Sequence, residues 1–223
     1  MSQIKHILFD NDGTIVDSEV IAQRNMLRLM AEHGLIMSEQ EYSRRFPGLL
    51  GKDILRILKD EHGFRVLADF VQRMHGEHVI SFTNELRVIP GMWALFRNLK
   101  VPKSIVSNGS VRHVEFCLRK VRLLKALDGH IFSAEQVRNP KPHPDVYVYA
   151  LSQLGLKPHE TLVVEDSPTG VKAAKSAGIF TIGFLGAAHV HDGHEEKLRD
   201  AGADFVAADA RQLARFLKDK DAI

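Results

Sequence analysis

Short apolar runs that stop abruptly at polar residues recur along the chain. "IKHILF" (4–9) is the first, and its length and sudden end predict a buried strand. "SIVS" (104–107), "TLVVE" (161–165), "FTIGF" (180–184) and "DFVA" (204–207) have the same form, and "HIFS" (130–133) is a shorter case. Helical periods fall between them. Tyr147, Ala150, Leu151 and Leu154 are spaced i, i+3, i+4, i+7, as are Gly170, Ala173, Ala174 and Ala177. The second set is all small side chains, so its helix is expected close against a sheet, with Gly178 as its stop. Leu213, Phe216 and Leu217 mark a final helix, and Trp93 and Phe96 share a helix face expected in the core. Strand and helix alternate from about residue 88 to the end, which predicts an α/β fold with a mainly parallel sheet.

Residues 15–85 break that rhythm. Ser18 to Gly34 reads as helix, with Val20, Leu27, Met30 and Ala31 on one face, and further helical stretches follow at 38–46, 52–61 and 65–80. None carries a convincing strand. The economical reading is a Rossmann-like core made of residues 1–14 and 88–223, interrupted by a small helical insertion at 15–87. No internal repeat points to a solenoid.

Composition narrows the functional classes. The chain has 223 residues, 44% of them hydrophobic, which suffices for a substantial core. No apolar run approaches the roughly 20 residues of a membrane span, and "MSQIKHILFDNDG" does not read as a signal peptide. The single Cys117 rules out an intrachain disulfide and fits a reducing cytosol, so a cytoplasmic protein is expected. A formal charge of +2 gives no case for nucleic acid. The basic run "RKVRLLK" (119–125) reads as a solvated helix face.

Chemistry concentrates at the strand ends. The first strand runs into "DNDGT" (10–14), which places Asp10 and Asp12 at its carboxyl end, where open α/β sheets hold their ligands. Gly13 permits a tight turn beneath them. Alone, "DNDG" would fit a polar turn. "VVEDS" (163–167) repeats the pattern, ending a strand in Glu165 and Asp166. Two acidic strand ends brought together would make an oxygen-rich site suited to Mg²⁺. "IVSNGS" ends another strand in hydroxyl, amide and glycine, groups able to bind anionic oxygens, and Lys141 lies between two prolines in "NPKPHP". Acids, a cation, a hydroxyl and a lysine are what phosphoryl transfer through a carboxylate needs.

These motifs, "DNDGT", "SNG" (107–109), Lys141 before "PHPDVY", and "EDS" (165–167), occur in the order found in haloacid dehalogenase-like hydrolases. The chain resembles the branch with a helical cap inserted after the first motif, and the match covers nearly its whole length. The resemblance implies that Asp10 is the nucleophile and Asp12 the general acid and base, with Thr14 supporting the loop and contacting Asp12. It implies that Ser107 binds the phosphoryl group with help from the Asn108 backbone, and that Lys141 pairs Asp10 with the phosphoryl oxygens. Mg²⁺ would be bound by Asp10, the Asp12 carbonyl and Asp166, with Glu165 acting directly or through water. Asp12 itself points away from dehalogenation, because a departing halide needs no proton.

The cap is expected to choose the substrate. "RRFPGLLGKD" (44–53) resembles the specificity loop of helical-capped relatives, with Arg45, Gly48 and Lys52 as candidates, and a basic loop suits a polyanionic substrate. Lys52 could alternatively be solvated. Arg112 and His113 follow the second motif and could touch substrate or serve structure. His189, His191 and His194 are closely spaced, but short spacing does not make a zinc site. Cys117 reads as a buried thiol. The expected activity is a Mg²⁺-dependent phosphomonoesterase for a small phosphorylated metabolite, a sugar phosphate or phosphosugar acid, acting as a monomer or weak homodimer. A β-phosphoglucomutase-like mutase and a non-enzymatic phosphate-binding module are the alternatives. The mutase is disfavoured because its arginine-serine cap signature has no clear counterpart around Leu50, Gly51 and Lys52.

Overall fold

The computed structural model describes residues 4–46, 49, 51–67 and 69–223. Its sheet has six strands: β1 (His6–Phe9), β2 (Lys103–Ser107), β3 (Ile131–Ser133), β4 (Thr161–Glu165), β5 (Phe180–Phe184) and β6 (Phe205–Ala207). They lie in the order β3-β2-β1-β4-β5-β6, and every pairing is parallel. β1 is therefore central, with Phe9 level with Ile105 on one side and Val164 on the other. All four of its side chains are buried, as a strand covered on both faces requires.

Of the helices between β1 and β2, the first four are α1 (Glu19–Glu32), α2 (Glu39–Arg45), α3 (Gly51–His62) and α4 (Phe70–Glu85). α5 (Met92–Asn98), α6 (Val111–Lys120), α7 (Asp145–Leu154), α8 (Pro168–Ser176), α9 (His194–Asp200) and α10 (Ala210–Lys218) flank the sheet. Two apolar clusters cover its faces, one around Ile7, Phe9, Phe96 and Val164, the other around Leu8, Val106, Val163 and Tyr147. The first four helices close over a cluster of their own, built from Leu29, Met30, Phe46, Leu58, Phe70 and Met74. The two chain crossings run side by side: Ile89 N–H donates to the Ile15 carbonyl, Asp17 N–H to Arg87, and Val16 bridges Val88 antiparallel.

The pattern-based elements need three corrections. The inner face of α1 is Ile21, Asn25, Met26, Leu29 and Met30, while Ala31 is exposed. Asn25 is inside because its amide meets Ser81 Oγ at 3.1 Å, where α1 runs along α4. The helix expected at 65–80 begins at Phe70, because the chain stays irregular after Gly63 while Phe64 packs into the cluster. Phe96 is core, but Trp93 is 40% exposed beneath the Arg97 guanidinium, 4.4 Å from its ring centre. The small-residue face of α8 lies against the sheet as expected, with Gly170, Ala173 and Ala174 buried. Cys117 is buried. Among the described residues no helix is long and apolar enough to cross a membrane.

Burial also sets a pH dependence. His6 Nε2 lies 2.9 Å from Ser104 Oγ, and burial pushes the imidazole from 6.5 down to about 4. The folded protein keeps this ring neutral where the unfolded chain would protonate it. Its contribution is complete above pH 6.5 and is lost as pH falls toward 4, on the order of 3 kcal/mol at most. Urea unfolding between pH 7 and 4.5 should show that decline. His6→Asn should make the slope shallower without removing it, since burial also holds His189 down at about 4. An unchanged slope would exclude His6 as a source.

Candidate active site

The carboxyl ends of β1, β2 and β4 meet at one cavity of about 790 Å³. Asp10, Asp12, Ser107, Asn108, Lys141, Glu165 and Asp166 all line it. Carboxylate oxygens of Asp10, Glu165 and Asp166 lie within 4.8 Å of one another, and all three residues are buried. Lys141 binds into this group from beneath. Its Nζ donates to Asp10 Oδ1 at 2.7 Å, Glu165 Oε1 at 2.6 Å and the Val106 carbonyl at 2.8 Å. The Lys141–Pro142 peptide is cis.

The lysine is itself held. Its N–H donates to Asn108 Oδ1 at 3.0 Å, and Asn108 Nδ2 donates to its carbonyl at 3.3 Å. The Asn108 side chain is thus committed to positioning Lys141, a role the sequence did not suggest. Glu165 is fully engaged too: Oε1 accepts from Lys141 and from Tyr147 at 3.3 Å, and Oε2 accepts from the Ser167 N–H and hydroxyl. Gly170 leaves room for that carboxylate, since a Cβ there would stand 1.7 Å from Oε1.

Electrostatics divides the acids. Burial pushes the Asp10 carboxyl well above its ordinary value, and Glu165 and Asp12 add to the rise against the pull of Lys141. Burial likewise raises Asp166, with Asp10 and Glu165 adding to it. For Asp12, burial is outweighed by the His113 imidazolium 2.9 Å away and by the Ser18 hydroxyl at 2.6 Å, so its carboxyl lies well below the usual range. The same pairing pushes His113 up to about 11. Cys117 Sγ lies 3.6 Å from the same His113 nitrogen.

Several expected placements change. Thr14 hydroxyl donates to Asp166 Oδ1 at 3.0 Å rather than to Asp12, because the turn carries it toward β4. The basic candidates of the cap do not line the cavity. Arg45 is paired with Glu61 and Glu41, and Lys52 is exposed on the surface of α3, whose inward residues are Ile54 and Leu58. Gly48 lies outside the described residues. His113 belongs to the site through Asp12, and Arg112 lines the same cavity. His194 Nε2 meets the Asp166 carbonyl at 2.7 Å, and His189 Nε2 lies 3.3 Å from Asp166 Oδ2, so these histidines back the acidic cluster. His113 carried a usable signal, standing in the first turn of the helix after "SNGS".

An Asp nucleophile candidate, a lysine and a second acidic strand end at this fold's ligand edge match a known family. Residues 7–184 match the haloacid dehalogenase-like hydrolases. The chain belongs to that family. It is 29% identical to 6-phosphogluconate phosphatase of Escherichia coli K12 over 85% of this chain and 86% of that protein. It is 31% identical to a phosphorylated carbohydrates phosphatase of Thermotoga maritima, covering 88% and 91%. The structure of a conserved haloacid dehalogenase-like protein from Agrobacterium tumefaciens is similar at TM-score 0.88 and 32% identity, covering 98% of this chain and 99% of that one. As a family member with this acidic cluster, the chain is a phosphatase-type enzyme.

Gly13 provides a local test of the geometry. Its φ is +83°, and a Cβ would stand 2.0 Å from Asp166 Oδ2 and 2.9 Å from His189 Cε1. Gly13→Ala is expected to displace Asp166 and cost about a hundredfold in kcat/KM, roughly 2.7 kcal/mol, while thermal unfolding still shows a cooperative transition. Wild-type activity in that variant would mean that Asp166 need not stay where the structure puts it.

Proposed function

We propose that this haloacid dehalogenase-like hydrolase is a Mg²⁺-dependent phosphomonoesterase for a small phosphorylated metabolite, working through an aspartyl-phosphate. One observation carries the reading: Lys141 grips Asp10 at 2.7 Å while Asp10 lines an open cavity beside Asp166. A carboxylate so held is a fixed nucleophile, and the ammonium lowers the cost of bringing an anionic phosphate to it. The phosphatase names of the two similar proteins support the same chemistry.

The donor set fits Mg²⁺. Asp10 and Asp166 are hard oxygen ligands whose carboxyls burial pushes upward, so the cluster is short of positive charge. The lone pairs of Glu165 are taken by Lys141, Tyr147 and Ser167, which leaves Asp10, Asp166 and the Asp12 carbonyl to hold the ion. When bound, the cation offsets charge between nucleophile and phosphate.

In this mechanism Asp10 attacks phosphorus, and the ester oxygen leaves with a proton relayed through Asp12 from the His113 imidazolium, which takes a proton back in the second step. Asp12 then takes a proton from water as the water attacks the aspartyl-phosphate, and phosphate departs. Ser18 and His113 hold Asp12 in place for both tasks. Ser107 Oγ accepts the Gly109 N–H at 2.9 Å and keeps its own proton for a phosphoryl oxygen. Residues 15–87 act as the cap, and their adjacent crossings make a hinge over the cavity. Among the described residues no cap lysine or arginine lines the cavity, so the mutase alternative has no described cap cation to hold a second phosphate.

Asp10→Asn should abolish phosphate release, by more than about 10³-fold, with little change in thermal stability, because the amide keeps the shape but not the nucleophilicity. Wild-type enzyme exposed to acid during turnover should show a phosphate adduct on Asp10 by mass spectrometry, and chelation should stop turnover until Mg²⁺ is restored. Turnover that survives either change would sink the proposal.

A further inference from the structure

The wall of the cavity opposite the acids is apolar. Met26, Tyr42, Phe46, Ile54, Met74 and Phe82 reach it from all four cap helices. The acidic and imidazole side chains these helices contribute are Glu19, His75 and His78, with no lysine or arginine among the described ones. Arg45 is tied to two glutamates on the outside, and Lys52 is exposed elsewhere. The undescribed neighbours Pro47, Gly48 and Leu50 carry no charge in any placement. Of the polar groups, Ser18 is spent on Asp12, and His78 stacks flat on Phe82 with 5.6 Å between ring centres, keeping Nε2 for a single hydrogen bond.

This wall is a poor match for a polyol or a second anion. A sugar carries a hydroxyl on nearly every carbon, and each one buried against Met, Phe or Ile loses its water without gaining a partner. A second carboxylate or phosphate buried against the same wall would lose its water with no cap lysine or arginine among the described lining residues to pair it, Arg112 lining the cavity only from the core side. An aromatic or alkyl group instead removes apolar surface from water on both sides of the contact. The cavity of about 790 Å³ has room for a ring beyond the phosphate.

From this wall we infer that the enzyme takes phosphate monoesters whose leaving alcohol is apolar or aromatic, with a single negative group, the phosphate. The inference rests on the phosphatase reading and departs from the carbohydrate esters named for the two similar proteins. The phosphate would sit against Ser107 and Lys141, and the alcohol's carbon skeleton would lie among the cap side chains.

The test uses primary-alcohol esters, so that leaving-group chemistry is matched: ethyl phosphate, 2-phenylethyl phosphate, glucose 6-phosphate and 6-phosphogluconate. Titration calorimetry of Asp10→Asn with Mg²⁺ should give 2-phenylethyl phosphate at least tenfold tighter binding than glucose 6-phosphate, about 1.4 kcal/mol. 6-Phosphogluconate should bind weakest. Val79 lines the cavity yet is 60% exposed, so Val79→Lys can add a cation without disturbing the core. That variant should narrow the gap between 2-phenylethyl phosphate and 6-phosphogluconate. Equal binding of all four esters would mean that the site reads only the phosphate, and tighter binding of either sugar ester would equally overturn the inference. Phosphate release by the wild-type enzyme is scored separately. If none of the four esters is hydrolysed, the phosphatase reading fails, while the binding order still decides what the cap wall accepts.

Discussion

One buried ammonium organises the catalytic end of the sheet. Lys141 Nζ meets Asp10 from β1, the Val106 carbonyl from β2 and Glu165 from β4, so three strands converge on a single nitrogen. Taking these charges out of water is costly, and the cost is met only when every partner is in place. The surroundings obey that constraint. Asn108 fixes the lysine backbone, Tyr147 and Ser167 complete the shell of Glu165, and Gly170 gives up its side chain to make space. Removing any one would leave a charge or a lone pair buried without compensation.

The same constraint separates two acids that stand two residues apart. Asp10 shares a crowded pocket with Glu165 and Asp166, and burial drives its carboxyl up. Asp12 has left that pocket for a private partnership with His113 and Ser18, and its carboxyl is driven down. Two carboxylates so near in sequence thus acquire opposite proton affinities through what they face rather than what they are.

Much of this was legible in the chain. A strand buried on both faces reads as an unbroken apolar run, and each of the six runs became a strand of one parallel sheet. The acidic strand ends were legible because Asp10, Glu165 and Asp166 break those runs where packing gives no reason to. Side-chain direction in the cap was not. The charge of Arg45 was plain, but its capture by Glu61 depends on how α2 and α3 meet. Asn25 was not on the face expected of α1 and turns inward because Ser81 supplies its partner, and Trp93 looked like core until Arg97 covered it outside. His113 sits on a helix whose pattern predicts its inner face, but only the end of β1 shows what that face meets.

The position of β1 bears on how the chain is made. Its four residues are synthesised before both of their neighbours in the sheet, residues 103–105 and 161–164. During synthesis a strand bound for burial on both faces must therefore wait, unpaired on both edges, while the cap helices and then most of the remaining chain emerge. The cap helices have an apolar cluster of their own and can condense in that interval. The centre of the sheet cannot. Closing it joins segments far apart in the sequence, a slow step that keeps unsatisfied strand edges open to other chains. The strand that leads to Asp10 is thus made before both its neighbours, secured late, and most in need of shelter in between.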